Sequence, residues 1–274
     1  MIQVLDDRSI TNETSEIFDA LGGYTSTLGW ARLVREQYGY ETKWIVEGSL
    51  FSPDAFCALT FVDHPIFGKY AVTAPYSSYG GAWMQPSRPV SMEFVSAIDD
   101  LLKINSSSYA NLRFLYAEPG ITPPLNWVQQ PIYHTYKVKL DPDLDQQINR
   151  YSSNHRNHVR KSLKKGFEMR IGNFGLLEDA YEGLARSMHE LGSPYHKRSY
   201  LEDMLRCLAD RVHFAVVYSG GSIVGAGVFI AQGDTIINLH ANVLRDYRAD
   251  HVGEFFYWSL IQHFLSLIHI SEPT

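Results

Sequence analysis

The sequence predicts an α/β protein of the α+β type, laid out as two tandem domains over 1–145 and 146–264 with mixed sheets. Three observations predict this. Strand-like and helix-like periodicities alternate within each half, and no low-complexity linker divides the halves. A hydrophobic fraction of 45% over 274 residues is enough to build cores, yet no apolar run reaches the ~18 residues that suggest a membrane span.

In the first half, residues 28–38 read as a helix, followed by strands in TKWIVEG, DAFCALTFV and KYAVTAP. A helix over 90–103 and strands in NLRFLYAE and IYHTYKVKL complete it. In the second half Leu177, Ala180, Tyr181, Leu184, Ala185 and Met188 recur at helical spacing, as do Leu201, Met204, Leu205 and Leu208. Strands VHFAVVYS, SIVGAGVFIA and TIINLHANV follow, joined by the turn signals Gly220-Gly221 and Gly233-Asp234, and a helix over 252–264 closes the pattern. The last ten residues, LSLIHISEPT (Leu265 to Thr274), lose all periodicity. Read back through the genetic code they match a transposase-end sequencing adapter in frame. Native information is therefore expected to stop near Phe264, leaving the second domain incomplete.

A net charge of −6, from 30 acidic and 24 basic residues, argues against general binding to DNA or anionic membranes, so polyanion affinity must be local. No charged-then-apolar leader opens the chain, and a cytoplasmic location is expected. Cys57 and Cys207 lie in apolar runs without zinc-ligand spacing; they read as ordinary buried thiols, and no metal site is expected.

The local exception to the acidity is RYSSNHRNHVRKSLKK, residues 150–165, with six Lys or Arg and no carboxylate. On a helix Arg156, Arg160 and Lys164 form one row, Lys161 and Lys165 the next, and Val159 and Leu163 a narrow apolar seam. Like charges at this spacing cost a few tenths of a kcal/mol per pair unless an anion offsets them. Ser152, Ser153 and Asn154 are good N-caps, so a helix N-terminus lies beside the same cations. Phosphate binding is one reading, and a solvated basic face is the other.

Three further stretches carry candidate chemistry. In PYSSYGGAW, Tyr79 offers a flat wall and Gly80-Gly81 lets a ligand approach the backbone, although a strand-ending turn explains the residues as well. The helix-breaking connector LGSPYHKRSY carries Tyr195, His196, Lys197 and Arg198, either at a cleft or on a surface loop. In TIINLHANV the residues Asn238, His240 and Asn242 are expected to share one strand face. His240 and His196 are the candidate general bases.

PYSSYGG, NLRFLYAE, YSSNHRNHVRKSLKKG, LGSPYHKRSYLEDML and the run from GGSIVGAG to IQHF occur in an order and spacing that resemble the FemAB-like branch of the GNAT superfamily, including its BioF2-like acyltransferases. The resemblance covers most of 28–264. It implies two tandem GNAT-like domains with a cleft between them, transferring an acyl or aminoacyl group to an amine. It also implies a phosphate-bearing small-molecule or lipid-linked substrate of the bacterial cell envelope, with aminoacyl-tRNA among the donors. Arg156, Arg160 and Lys161 match the basic motif that opens the second domain, and residues 191–198 its cleft connector.

The chain departs from relatives in three places. YRADHVGEFF holds one glycine where cofactor-using members have a glycine-rich pyrophosphate loop, which argues against acyl-CoA as donor and against a permanently bound cofactor. There is no heptad insertion to grip tRNA, and the closing segment like DFGRS lies beyond Phe264. The expected function is N-acyl transfer with phosphates held by Arg156, Arg160, Lys161 and Lys164; the rival is a noncatalytic RNA- or nucleotide-binding module on residues 150–165.

Overall fold

A computed structural model describes residues 1–86, 88–114, 127–130 and 135–271. Contacts divide the chain into two compact units, Met1–Ile132 with Arg206–Ala209, and Tyr133–Leu205 with Asp210–Thr274. The division falls ahead of the 145/146 boundary read from the sequence.

The first unit runs β1 (Ile2–Leu5), α1 (Asn12–Gly22), α2 (Leu28–Tyr38), β2 (Glu41–Ser49), β3 (Ser52–His64), β4 (Gly68–Val72), β5 (Ala82–Met84), α3 (Met92–Ile104) and β6 (Ala110–Asn111). Each helix begins where a hydroxyl can replace a missing backbone partner. Thr11, Thr27 and Ser91 accept from the amides of Thr14, Trp30 and Phe94. The sheet order is β1-β2-β3-β4-β6 with β5 on β3, and β6 pairs parallel to β4. Strict alternation on β2 and β3 divides the core in two. Ile45, Cys57 and Leu59 pack with Phe94 and Ile98 of α3, while Trp44, Val46, Phe56 and Ala58 pack with Phe18 and Ala31 of α1 and α2.

The second unit runs α4 (Leu144–Asn149), α5 (Ser153–Ser162), β7 (Phe167–Gly172), α6 (Leu177–Glu190), α7 (Arg198–Leu208, whose last three residues are grouped with the first unit), β8 (Val212–Ser219), β9 (Ser222–Gln232), β10 (Thr235–Val243) and α8 (Val252–Ser271). Its described strands are antiparallel throughout, in the order β10-β9-β8-β7, which leaves β10 at an edge. Ala215, Val217 and Phe229 face α8 and pack with Phe255, Phe256 and Leu260. The opposite face carries α6, which approaches so closely that a Cβ on Gly183 would lie 2.7 Å from the Cβ of Ala226.

Three sequence expectations change. Residues 135–140 of the expected strand IYHTYKVKL are not in a strand, and the remainder of it lies outside the described residues. NLRFLYAE forms a strand only at Asn111, with a parallel bridge from Phe114 to Ala82; residues 115–118 lie outside the described residues. The last helix continues past Phe264 to Ser271, with Leu265 buried. Cys57 is fully buried and Cys207 only half-buried, both as free thiols.

Candidate functional site

The antiparallel sheet, α6 and the connector line an open cavity of about 630 Å³ in the second unit. Leu184, Ser187 and Met188 of α6 line one wall, Pro194, Tyr195 and His196 of the connector a second, and residues 238–242 of β10 a third. The connector and the edge strand thus bring together His196 and His240, whose ring centroids are 5.6 Å apart. Tyr195 meets His240 edge-on at 5.7 Å, and His196 stacks on Tyr200 at 4.1 Å.

Burial decides the protonation of both imidazoles. It lowers His196, and it lowers His240 to about 4, with the neighbouring His196 adding to the effect. Both rings are therefore neutral at pH 7. The Nε2 of His240 is buried without a hydrogen-bond partner, a cost of about 1–3 kcal/mol that native proteins rarely carry without a use.

The geometry of β10 departs from simple alternation. Asn238 pairs with Phe229 and His240 with Val228, so Leu239 is an extra, bulged residue. His240 and Asn242 face α6, whereas Asn238 turns to the other face and donates its Nδ2 to the Tyr257 hydroxyl of α8 at 2.9 Å. The expectation that Asn238, His240 and Asn242 share a face is corrected accordingly: the bulge inverts the pattern between the first two. Nothing in the regular alternation of TIINLHANV signals the bulge.

The basic segment is also shorter as a helix than the charge pattern implied. Ser152 caps α5 by accepting from the amide of His155, and the helix ends at Ser162. Lys164 and Lys165 therefore lie in the following turn and do not extend the rows. Val159 is buried, but Leu163 is 47% exposed, so the expected apolar seam is a single residue. Arg156 donates to the carbonyl of Tyr151 at 2.6 Å, and Lys165 pairs with Asp250 at 2.7 Å. Arg160, Lys161 and Lys164 are exposed and make no ion pair among the described residues.

A 3-10 helix, Arg245–Asp250, connects the cavity to this segment. Arg248 at its centre reaches the side-chain oxygen of Asn242 in the cavity wall at 3.4 Å, Arg245 donates its amide to Glu190 at the end of α6, and Asp250 holds Lys165. In the connector Lys197 is exposed, whereas Arg198 is gripped by Glu178 and Glu202, its Nε reaching Glu178 at 2.6 Å. Arg198 is thus already neutralised by two carboxylates.

The candidates in the first unit have a different setting. Gly80 and Gly81 are buried at φ 102° and 79°, the Gly81 amide donates to the carbonyl of Gly22 at 2.9 Å, and a side chain on Gly80 would overlap Thr25. Close packing onto α1 accounts for both glycines. Tyr79 is half-buried, and the loop is fastened by Tyr24 to Ser77 at 2.9 Å and by Arg113 to the carbonyl of Ser77 at 2.7 Å.

Residues 153–267 match the acetyltransferase (GNAT) domain family. This stretch is similar to a GNAT domain. It contains α5, the four-stranded sheet, the histidine cavity and most of α8. The whole chain is similar in fold to the crystal structure of FemX, with a TM-score of 0.59 at 11% identity over 96% of this chain and 85% of that one. It is similar also to a tandem GNAT protein from the clavulanic acid biosynthesis pathway, with a TM-score of 0.51 at 10% identity over 97% of this chain and 86% of that one. A conserved protein of unknown function from Bacteroides thetaiotaomicron gives a TM-score of 0.51 at 9% identity over 96% and 86% of the two chains. No curated protein matches the sequence. The similarity in fold to a tandem GNAT protein agrees with the two-domain α/β architecture expected from the motif order. Among the described residues no helix is long and apolar enough to cross a membrane.

Proposed function

We propose that the protein is an N-acyltransferase that moves an acyl or aminoacyl group onto the amine of a phosphate-bearing or cell-envelope-related substrate. The observation that carries this reading is the cavity holding His196 and His240 on the GNAT-like domain, with the 3-10 helix that follows β10 touching its wall through Arg248 and Lys165 of the basic segment through Asp250. In the reaction the neutral amine attacks the acyl carbonyl carbon, a C–N bond forms, and the bond to the leaving group breaks. The amine must lose a proton, and an oxyanion develops on the way. Neutral imidazoles at His196 and His240 are in the form that accepts that proton. The bulge takes Leu239 out of the ladder beside the cavity, which favours its backbone amide as a donor to the oxyanion.

Arg160, Lys161 and Lys164, unpaired, supply a handle for phosphates remote from the reacting centre, where binding energy is used for orientation. Arg156 orders the start of α5 through main-chain carbonyls. The turn into α8 carries Asp250, His251 and Glu254, and carboxylates at a helix N-terminus repel a pyrophosphate; this supports aminoacyl-tRNA or another donor over acyl-CoA.

The unpaired cations alone also favour the rival, a noncatalytic module for RNA or nucleotides. Turnover separates the two. Acyl-CoA and aminoacyl-tRNA donors are tested with amine acceptors that carry a phosphate, and the His196→Gln/His240→Gln double variant should lose ~10²-fold or more in kcat/KM. Binding with a steep salt dependence and no turnover for any donor would favour the rival.

A further inference from the structure

The cysteines suggested no metal site, but the fold brings two histidines and a glutamate together elsewhere. His158 of α5, His251 at the left-handed position that precedes α8, and Glu254 in the first turn of α8 place their ligating atoms within 4.8 Å of one another. The Nδ1 atoms of His158 and His251 lie 3.2 and 3.4 Å from the same carboxylate oxygen, Oε1 of Glu254. The two rings stack at 4.1 Å with 20° between their planes. All three side chains are half-buried, and none of them takes part in the bond-making or proton-transfer steps of the acyl-transfer reading.

We propose that His158, His251 and Glu254 form a three-ligand site for a divalent transition-metal ion of the zinc class. The argument starts from distances. Metal–ligand bonds of 2.0–2.1 Å to nitrogen and oxygen in a tetrahedron place neighbouring ligand atoms about 3.3 Å apart, and the two contacts to Glu254 bracket that value. Chemistry agrees, since two imidazoles and one carboxylate are a donor set that zinc accepts while keeping a fourth position for water or an anion.

Charge points the same way. One divalent ion would satisfy at once the two nitrogens and the carboxylate oxygen that converge here. Sequence carries half of the signal. His251 and Glu254 have the i, i+3 spacing that shares a helix face, and only the packing of α5 on α8 supplies His158. The ion would clip the basic helix to the last helix and add positive charge beside the exposed cations of α5.

The test uses the full chain without an affinity tag, stripped of metal and titrated with Co²⁺, whose visible absorption reports four-coordinate geometry. One equivalent should saturate the spectrum, and one equivalent of Zn²⁺ should displace it. In imidazole NMR of the unaltered protein, Zn²⁺ should shift the side chains of two histidines, assigned as His158 and His251. The His158→Gln/His251→Gln variant and, separately, Glu254→Gln should each weaken binding at least tenfold while the far-UV spectrum is kept. No saturable Co²⁺ spectrum, shifts confined to other histidines, or equal affinity in variants that remain folded would each overturn the proposal. Should a variant fail to fold, the NMR of the unaltered chain decides.

Discussion

Asn238 and His240 sit next but one to each other on β10 yet project from opposite faces of the second sheet, because Leu239 is bulged out between them. Asn238 bonds to Tyr257 of α8, and His240 lines the cavity under α6. Stability and chemistry should therefore separate at these two positions. Asn238→Ala removes one exposed hydrogen bond and should cost no more than about 1 kcal/mol, with turnover nearly unchanged. His240→Gln should reduce turnover strongly. Equal loss of turnover in both variants would contradict the two-faced strand, and steady-state kinetics beside urea melts reads the difference.

Acid should destabilise the second unit before any carboxylate effect is reached. An unfolded imidazole takes up its proton near pH 6.5, whereas folded His240 resists until about 4. As pH falls through that window the unfolded state binds more protons, so stability is lost downward from 6.5 and restored on raising the pH. The loss from His240 between pH 7 and 5 is about 2 kcal/mol, and burial of His196, His213 and His263 acts in the same direction. His240→Gln should flatten the slope. Melting curves at pH 5, 6 and 7 check this, and an unchanged slope would count against the burial of a neutral ring.

Gly183 should be intolerant of a side chain. Its Cβ would meet the Ala226 Cβ at 2.7 Å, and neither α6 nor β9 can yield easily. Gly183→Val should destabilise by about 1–3 kcal/mol in urea. Gly175, with nothing within 4 Å of an added Cβ, is the control: Gly175→Ala should stay within about 0.5 kcal/mol. A neutral Gly183→Val would mean that helix and sheet stand further apart than described.

Arg160 and Lys161 are exposed and unpaired, so reversing both to Glu should leave the melting curve nearly unchanged. Affinity for a phosphate-bearing ligand should fall at least tenfold, and its salt dependence should become shallower. Arg198→Met offers the contrast, because Glu178 and Glu202 already hold that guanidinium. Little change in stability, with affinity retained, is expected there. Unaltered phosphate affinity after the double reversal would leave the basic face as mere solvated charge.

Much of the fold was legible because burial on one face imposes a period. The strands at 212–219, 222–231 and 235–243 and the helices at 28–38 and 177–188 are close to those formed, each resting on alternation or helical spacing. Helix α1 and strand β7 were missed. NETSEIFDALG has a polar first turn, and FEMRIG is short: Phe167, Met169 and Ile171 alternate with Glu168 and Arg170 and pack on the core, but the pattern spans only six residues. The expected strand over IYHTYKVKL fails for the opposite reason: its alternation is good, but at 135–140 it finds no partner strand. In the candidate site the connector and His240 were found from residue type and position. The bulge, the clamp on Arg198 and the early end of α5 were not, since each depends on a neighbour supplied from elsewhere in the chain.

By itself the sequence determined the mixed helix and strand composition, the turns, the caps and the concentration of cations before β7, because these follow from local periodicity and side-chain chemistry. Only tertiary structure decided which histidines meet. His196 reaches His240 through the folding of the connector over the edge strand, and His158 reaches His251 and Glu254 through the packing of α5 on α8. The physical reason is that a contact between residues distant in the chain is set by which apolar faces bury one another, and that choice is made by the whole core and not by the residues that come into contact.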